Sequence, residues 1–172
     1  MSRIIALKAA ADAIANIGVE AQGGENRGKF VGVYQASTGN RPGDPWCASM
    51  VYYRLITAAA FYDKALVGVP ISGYTPDWKN QAVKSKKWLP ASQAKSTPSK
   101  VRVGDLCLFY SSSKKRIFHI GIVIEVHSWV VVTVEGNTSA EPGVDADGDG
   151  VFRKVRSWSE LGYGGGFFLL DQ

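Results

Sequence analysis

The sequence is poor in the residues that build disulfide frameworks and metal centres. It contains two cysteines and two histidines in 172 residues. Cys47 and Cys107 are too few for a disulfide scaffold, and they lack the spacing of metal ligands. We therefore expect a protein that needs no metal ion and no other cofactor.

Long hydrophobic runs are also missing. Lys8 and Asp12 interrupt the apolar N-terminal segment, so we expect that it is not a secretory signal peptide, and no run is long enough to span a bilayer. No RNA-binding motif or recognition helix is visible, so nucleic acid is not an expected partner. We expect a monomeric protein that does not span membranes and is made in the bacterial cytoplasm without an export signal of its own.

Charge is distributed unevenly along the chain. Residues 79–116 contain ten cations and one acid, Asp105, whereas the net charge of the whole chain is only +5. Such a basic segment favours a polyanionic partner, for example an anionic cell-envelope polymer. The alternative is a solvated, lysine-rich surface without a partner.

The length of the chain and its hydrophobic fraction of 45% are those of one globular domain, which we expect over residues 1–172. The first half has helical patterns. A first helix is predicted between Ser2 as its cap and Gly18 at its end, with an apolar stripe of Ile4, Leu7, Ala11, Ile14 and Ile17. After a loop over residues 38–45, a second helix is predicted with Asp44 as N-cap and Pro45 at its first position. A third is predicted over residues 75–86.

The second half is rich in β-branched and aromatic residues bounded by turn residues. Strands are predicted over residues 106–110, 117–126, 129–135, 151–156 and 167–170. Helices followed by consecutive strands indicate an α+β fold with an antiparallel sheet.

Cys47 lies in the first turn of the helix that the Asp44-Pro45 pair predicts. The N-terminus of a helix stabilises anions, and the reactive form of cysteine is the thiolate anion. This placement indicates a catalytic nucleophile. The alternative is a small core residue.

His119 is the polar residue of an otherwise apolar strand segment, residues 117–123. A histidine in such a strand is often a core residue with a satisfied hydrogen bond. An imidazole that faces the helix N-terminus carrying Cys47 would instead form a cysteine–histidine pair for nucleophilic catalysis.

A third group is needed to orient the imidazole, and two candidates end the next predicted strand. Glu135 and Asn137 return beside His119 if residues 126–129 form a hairpin. Either side chain can accept a hydrogen bond from the far ring nitrogen. The alternative is that both are turn residues.

In this order, the segments resemble the CHAP domain family, the cysteine, histidine-dependent amidohydrolases and peptidases. The resemblance rests on GDPWCASMV (43–51), VGDL (103–106), HIGIV (119–123) and EGNT (135–138), and extends to residues 18–20, 28, 34 and 162–165. It implies a papain-like α+β fold with helices packed on an antiparallel sheet, and hydrolysis of amide bonds in bacterial peptidoglycan. It further implies Cys47 as nucleophile, His119 as base, Glu135 as orienting carboxylate and Asn137 as supporting polar group.

Other residues are assigned to substrate from this arrangement. Tyr34 or Gln35 is expected to help the backbone N–H of Cys47 stabilise an oxyanion, and Trp46 and Trp78 are expected to line a substrate groove. Tryptophans that are simply packed are the alternative.

The acidic segment 145–150 resembles the start of a calcium loop. Its twelfth position, however, is Arg156 where a bidentate glutamate is required. We therefore predict an acidic turn without a metal.

A basic catalytic domain without a signal peptide resembles a phage endolysin, which reaches the periplasmic cell wall after holin release. An amidase effector injected between bacteria and a non-catalytic wall-binding module are the alternatives. The intact set of Cys47, His119 and Glu135 argues against the non-catalytic module.

Overall fold

A computed structural model of the protein describes residues 1–144 and 147–170. Four helices come first: α1 (Arg3–Ile14), α2 (Lys29–Ser37), α3 (Cys47–Phe61) and α4 (Thr75–Lys84). Strand β1 (Trp88–Pro90), helix α5 (Ala91–Ser96) and the 3-10 turn Pro98–Lys100 follow. Then come β2 (Leu106–Ser111), β3 (Arg116–Val126), β4 (Val130–Thr138), β5 (Gly150–Ser157), the 3-10 turn Trp158–Leu161 and β6 (Gly166–Phe168).

The strands form one antiparallel sheet in the order β1-β6-β2-β3-β4-β5. The predicted α+β fold with helices ahead of an antiparallel sheet is therefore confirmed. Strand residues alternate between two apolar clusters, as the pleat of a sheet requires. Leu106 and Leu108 pack with helices α1 to α4, and Cys107 and Phe109 pack with α5 and the Trp158–Leu161 turn.

The first helix turns a different face to the core from the one predicted. Its buried residues are Ile5, Ala6, Ala9, Ala10 and Ala13, whereas Ile4, Leu7, Ile14 and Ile17 are 39 to 47% exposed. The alanine-rich face is the buried one because small side chains let other backbone segments approach closely. At Gly104, an added Cβ would lie 2.7 Å from the carbonyl carbon of Ala6. The helix also ends at Ile14 rather than at Gly18.

The helix that carries Cys47 begins later than predicted. Trp46 is its N-cap residue and Cys47 its first residue, so Asp44 does not cap it. The Asp44 carboxylate instead accepts a hydrogen bond from the backbone N–H of Arg41 at 2.7 Å, which closes a turn in the preceding loop. The prediction that Cys47 lies in the first turn is confirmed all the same.

Helix α4 also ends earlier than predicted, at Lys84, because Lys86 adopts a positive φ of 60° that stops the helix. None of the helices within residues 1–144 and 147–170 has the length and apolar character needed to cross a bilayer.

Candidate active site

Cys47 lies at the bottom of a cleft of about 250 Å³ and is 3% exposed. The cleft is bordered by the loop before α3, the start of α4 and the hairpin between β2 and β3, which contribute Asn40, Pro45, Thr75, Arg116 and Phe118. The first turn of a helix has no preceding turn to accept its N–H groups. The Cys47 sulfur and its backbone N–H therefore lie at the positive end of the α3 dipole, where a negative charge is stabilised.

The imidazole of His119 is completely buried, and its two nitrogens have different surroundings. Nε2 lies 2.8 Å from Oε2 of Glu135, so this nitrogen carries a proton and donates a hydrogen bond to the carboxylate. Nδ1 makes no hydrogen bond of standard geometry among the described residues, but the ring interacts with the Cys47 side chain. The ring is also in contact with Phe109, with 5.5 Å between ring centroids.

Electrostatics favour the protonated form of this histidine. Burial lowers the pKa of His119, but its interactions with Cys47 and Glu135 act in the opposite direction and raise the pKa to about 9. At neutral pH the ring is therefore an imidazolium next to the sulfur, a state that stabilises a thiolate by charge attraction.

Glu135 is buried in the core, and its carboxylate binds three side chains, those of His119, Arg156 and Thr133. Arg156 donates to both carboxylate oxygens, from Nε at 2.8 Å and from Nη2 at 2.6 Å, and the Thr133 hydroxyl donates to Oε1 at 2.5 Å. Burial alone would raise the pKa of Glu135, but hydrogen bonds and charge attraction from Arg156 and His119 lower it to about 2. The carboxylate is thus ionised at neutral pH.

The structure decides between the two candidates for orienting the imidazole. Glu135 contacts His119, whereas among the described residues no hydrogen bond joins His119 to Asn137. Asn137 has a positive φ of 59°, and its Oδ1 accepts the backbone N–H of Trp46 at 3.0 Å. Asn137 therefore fixes the start of α3, and with it Cys47, to the end of β4.

The structure corrects the expectation that Trp46, Trp78, Tyr34 and Gln35 contact substrate, because all four are at most 1% exposed. Trp46 stacks on Tyr34 with 5.7 Å between ring centroids, and the Trp78 indole donates to the Ser72 carbonyl.

The two expected oxyanion donors are also occupied elsewhere. The Gln35 amide donates to the carbonyls of Asn26 and Asp44, and the Tyr34 hydroxyl accepts from Arg54. The contacts of Gln35 with Asp44 and of Tyr34 with Trp46 hold the loop before α3 in place.

Two polar residues of the site were not assigned from the sequence. Arg156 lies in β5 and is 1% exposed. No signal in the sequence indicated it, because its position opposite buried Val131, where an arginine needs a buried acid as partner, is known only from the structure. Asn40 lines the cleft, and its Nδ2 donates to the Pro45 carbonyl at 3.2 Å. A single asparagine in a loop gave no signal.

The second thiol has a different environment. Cys107 is fully buried in β2, and burial together with the nearby Glu135 charge raises its pKa well above the ordinary value. It is therefore held in the protonated thiol form at neutral pH.

No group of three or more histidine, cysteine, aspartate or glutamate side chains could hold a metal ion within the described ranges 1–144 and 147–170. The calcium-loop resemblance includes Asp145, which lies outside these residues.

Comparison with known proteins gives one match. The family model described as the CHAP domain matches residues 38–137, more than half of the chain. This segment contains Cys47, His119, Glu135 and Asn137, but not Arg156. No curated protein and no solved structure matches the sequence.

Proposed function

Because the chain belongs to the CHAP domain family, we propose that it hydrolyses an amide bond of bacterial peptidoglycan with Cys47 as the nucleophile. The family indicates a hydrolase of the amidase or peptidase type. The finer assignment, a cysteine-dependent mechanism in an endolysin-like enzyme, is our proposal. One observation carries it: the buried imidazole of His119 lies between a thiol at a helix start and an ionised carboxylate.

The proposed reaction begins with a Cys47 thiolate and a His119 imidazolium. The sulfur attacks the carbonyl carbon of the substrate amide and forms a tetrahedral oxyanion. The backbone N–H of Cys47 is the first donor to that oxygen, and the Asn40 amide at the rim of the cleft is the second. Nδ1 of His119 then donates its proton to the leaving nitrogen as the C–N bond breaks.

The second half of the reaction removes the acyl group from the sulfur. Nδ1 of His119, now neutral, takes a proton from water, and the resulting hydroxide attacks the thioester carbonyl. The C–S bond breaks, the product carboxylic acid leaves, and thiolate and imidazolium are restored. Throughout, Nε2–H remains bonded to Glu135, which keeps the ring in one tautomer and one orientation.

We further propose that the enzyme acts as a phage endolysin does, on peptidoglycan that it reaches from the cytoplasm after holin release. Its basic segment, residues 79–116, would then meet the anionic polymers of the cell envelope. Exposed lysines such as Lys84 and Lys86 support this part of the proposal.

The test uses the two thiols as a matched pair. Cys47→Ala should abolish the release of soluble fragments from purified peptidoglycan with its fold intact, whereas Cys107→Ala should keep activity and lose about 1 kcal/mol of stability. Mass spectrometry of the wild-type digest identifies the bond that is cut. A folded Cys47→Ala protein that still digests peptidoglycan would contradict the proposal, as would a folded Cys107→Ala protein without activity.

A further inference from the structure

Two cations line the cleft above Cys47. Lys114 and Arg116 both come from the hairpin between β2 and β3, and both line the cleft. Within residues 1–144 and 147–170, neither forms an ion pair with a carboxylate. An arginine whose charge is unpaired beside a nucleophile is suited to bind an anionic group of a ligand.

The guanidinium of Arg116 is held in place before any ligand arrives. It lies over the Tyr74 ring, 5.4 Å from the ring centroid, and its Nη1 donates to the Ile117 carbonyl at 3.1 Å. Lys114 lies over the Phe118 ring at 5.4 Å. Stacking on aromatic rings restricts these long side chains, so a ligand has less side-chain freedom to remove when it binds.

Acidic side chains from other parts of the chain are found in the same cleft. Asp44, before α3, and Asp147, before β5, also line it. The two signs of charge thus come from different segments, cations from the hairpin and anions from the loops. A singly charged anion bound at the hairpin is favoured, and the acids disfavour the reversed orientation of the same ligand.

We propose that Arg116, assisted by Lys114, binds a free carboxylate of the substrate peptide close to the amide bond that Cys47 attacks. This inference rests on the proposed function and specifies its substrate: a wall peptide whose carboxylate next to the cleavage point is not amidated. The phosphate of a wall polymer shares the same chemistry. A carboxylate is the better fit, because a cleft of about 250 Å³ over the nucleophile admits a part of the substrate itself, and the two acids disfavour a doubly charged group.

The test compares two soluble wall peptides that differ only in having this carboxylate free or amidated. The wild type should cleave the free acid with a kcat/KM about tenfold higher, since a charge-assisted hydrogen bond to a partly exposed arginine has about that effect. Arg116→Gln should abolish the preference mainly through KM, and Arg116→Lys should keep part of it. Lys115→Gln is the matched control, because Lys115 is exposed, adjacent and equally charged but does not line the cleft.

Binding to a Cys47→Ala protein separates this inference from the proposed function. Calorimetry with the two peptides measures the preference without turnover, in Cys47→Ala and in Cys47→Ala/Arg116→Gln. A preference that disappears with Arg116 supports the inference even if no amide is cleaved, a result that would contradict only the proposed function. Equal binding of both peptides to Cys47→Ala, or a preference that survives Arg116→Gln, overturns the inference. Inhibition by inorganic phosphate without any preference between the peptides overturns it in favour of phosphate.

Discussion

The strongest single consequence of the site concerns the proton on His119, and Glu135→Gln is the change that tests it. Glutamine keeps the size of the side chain and its place in the core but removes the negative charge. Burial, which lowers the pKa of His119, then acts against weaker opposition. In addition, Arg156, whose side chain is 1% exposed, loses its two short hydrogen bonds to a carboxylate and keeps only the longer ion pair with Glu160 at 3.4 Å, so its positive charge close to the ring is less well neutralised.

The size of the effect follows from the shift itself. The pKa of His119 is raised from 6.5 to about 9, which corresponds to about 3 kcal/mol in favour of the imidazolium. Without Glu135 we expect the pKa of His119 to fall back toward its ordinary value, because only the interaction with Cys47 then opposes burial. At pH 8 most molecules of the variant then hold a neutral ring, so kcat/KM at this pH should fall about tenfold or more, and the alkaline limb of its pH profile should move to lower pH.

The assay is a pH titration of the histidine ring signals by NMR. The chain has only two histidines, and the other one, His127, is exposed in the turn between β3 and β4 and contacts Glu125. Its ring signals serve as an internal reference for the condition of the sample. If His119 titrates at the same pH in the wild type and in a folded Glu135→Gln protein, Glu135 does not hold the proton on the ring and the reasoning is refuted.

Four further results are expected. The wild type should lose about 3 kcal/mol of unfolding free energy as the pH falls from 4.5 through 2, because the pKa of Glu135 is depressed from 4.5 to about 2 in the folded state. The stabilisation is therefore complete above pH 4.5 and is lost as the pH falls through about 2; a flat acid profile by denaturant titration would contradict this. Gly121→Ala should reduce activity and destabilise by about 1–3 kcal/mol, because the new Cβ lies 2.6 Å from Cγ of Glu135 and must displace it; unchanged activity would refute it. Gly32→Ala in α2 meets no atom within 4 Å and should raise the thermal midpoint by about 2 °C, so a lower midpoint would be inconsistent with that open space. Lysis of whole wall should weaken as the salt concentration rises. Replacing three lysines with glutamine should flatten that dependence and spare the cleavage of a small neutral peptide. Superimposable salt titrations of the wild type and the variant would show that these residues do not attract the enzyme to the wall. The three are Lys84, Lys86 and Lys87.

The elements that could be predicted are those whose signals are local. Runs of β-branched and aromatic residues between turn residues placed the strands from β2 to β6 within a few residues of their ends. Helix α2 has no such signal. Its N-cap is Gly28 without a capping side chain, and it leaves Phe30 and Val33 exposed. Strand β1 is three residues long and ends in Pro90, so its existence depends on pairing with β6.

The start of α3 shows why local patterns misplace a boundary. Asp44-Pro45 has the composition of a helix start, but the hydrogen bond that fixes the first turn comes from Asn137, 91 residues later in the chain. A contact between residues so far apart in the sequence cannot be recognised from the residues around Trp46. The sequence could therefore indicate that Cys47 lies at a helix start, but not which residue ends the loop before it.

The choice between Glu135 and Asn137 could not be made from strand alternation either. Two residues separated by one position point to the same face of a regular strand. A register shift between Gly136 and Thr138, together with the positive φ of Asn137, breaks the alternation at this place. Asn137 turns toward α3 as a result, and only Glu135 remains beside His119.

The exposed connection between α3 and α4, residues 62–74, divides the reacting groups between two stretches of the chain. The sulfur comes from the stretch before it, and the imidazole, the carboxylate and the guanidinium all come from the stretch after it. A polypeptide interrupted there would yield two fragments, each unable to perform any step of the chemistry alone. Enzymatic turnover by a mixture of the fragments would then report their reassembly, which makes this connection a natural place for building a split reporter from the fold.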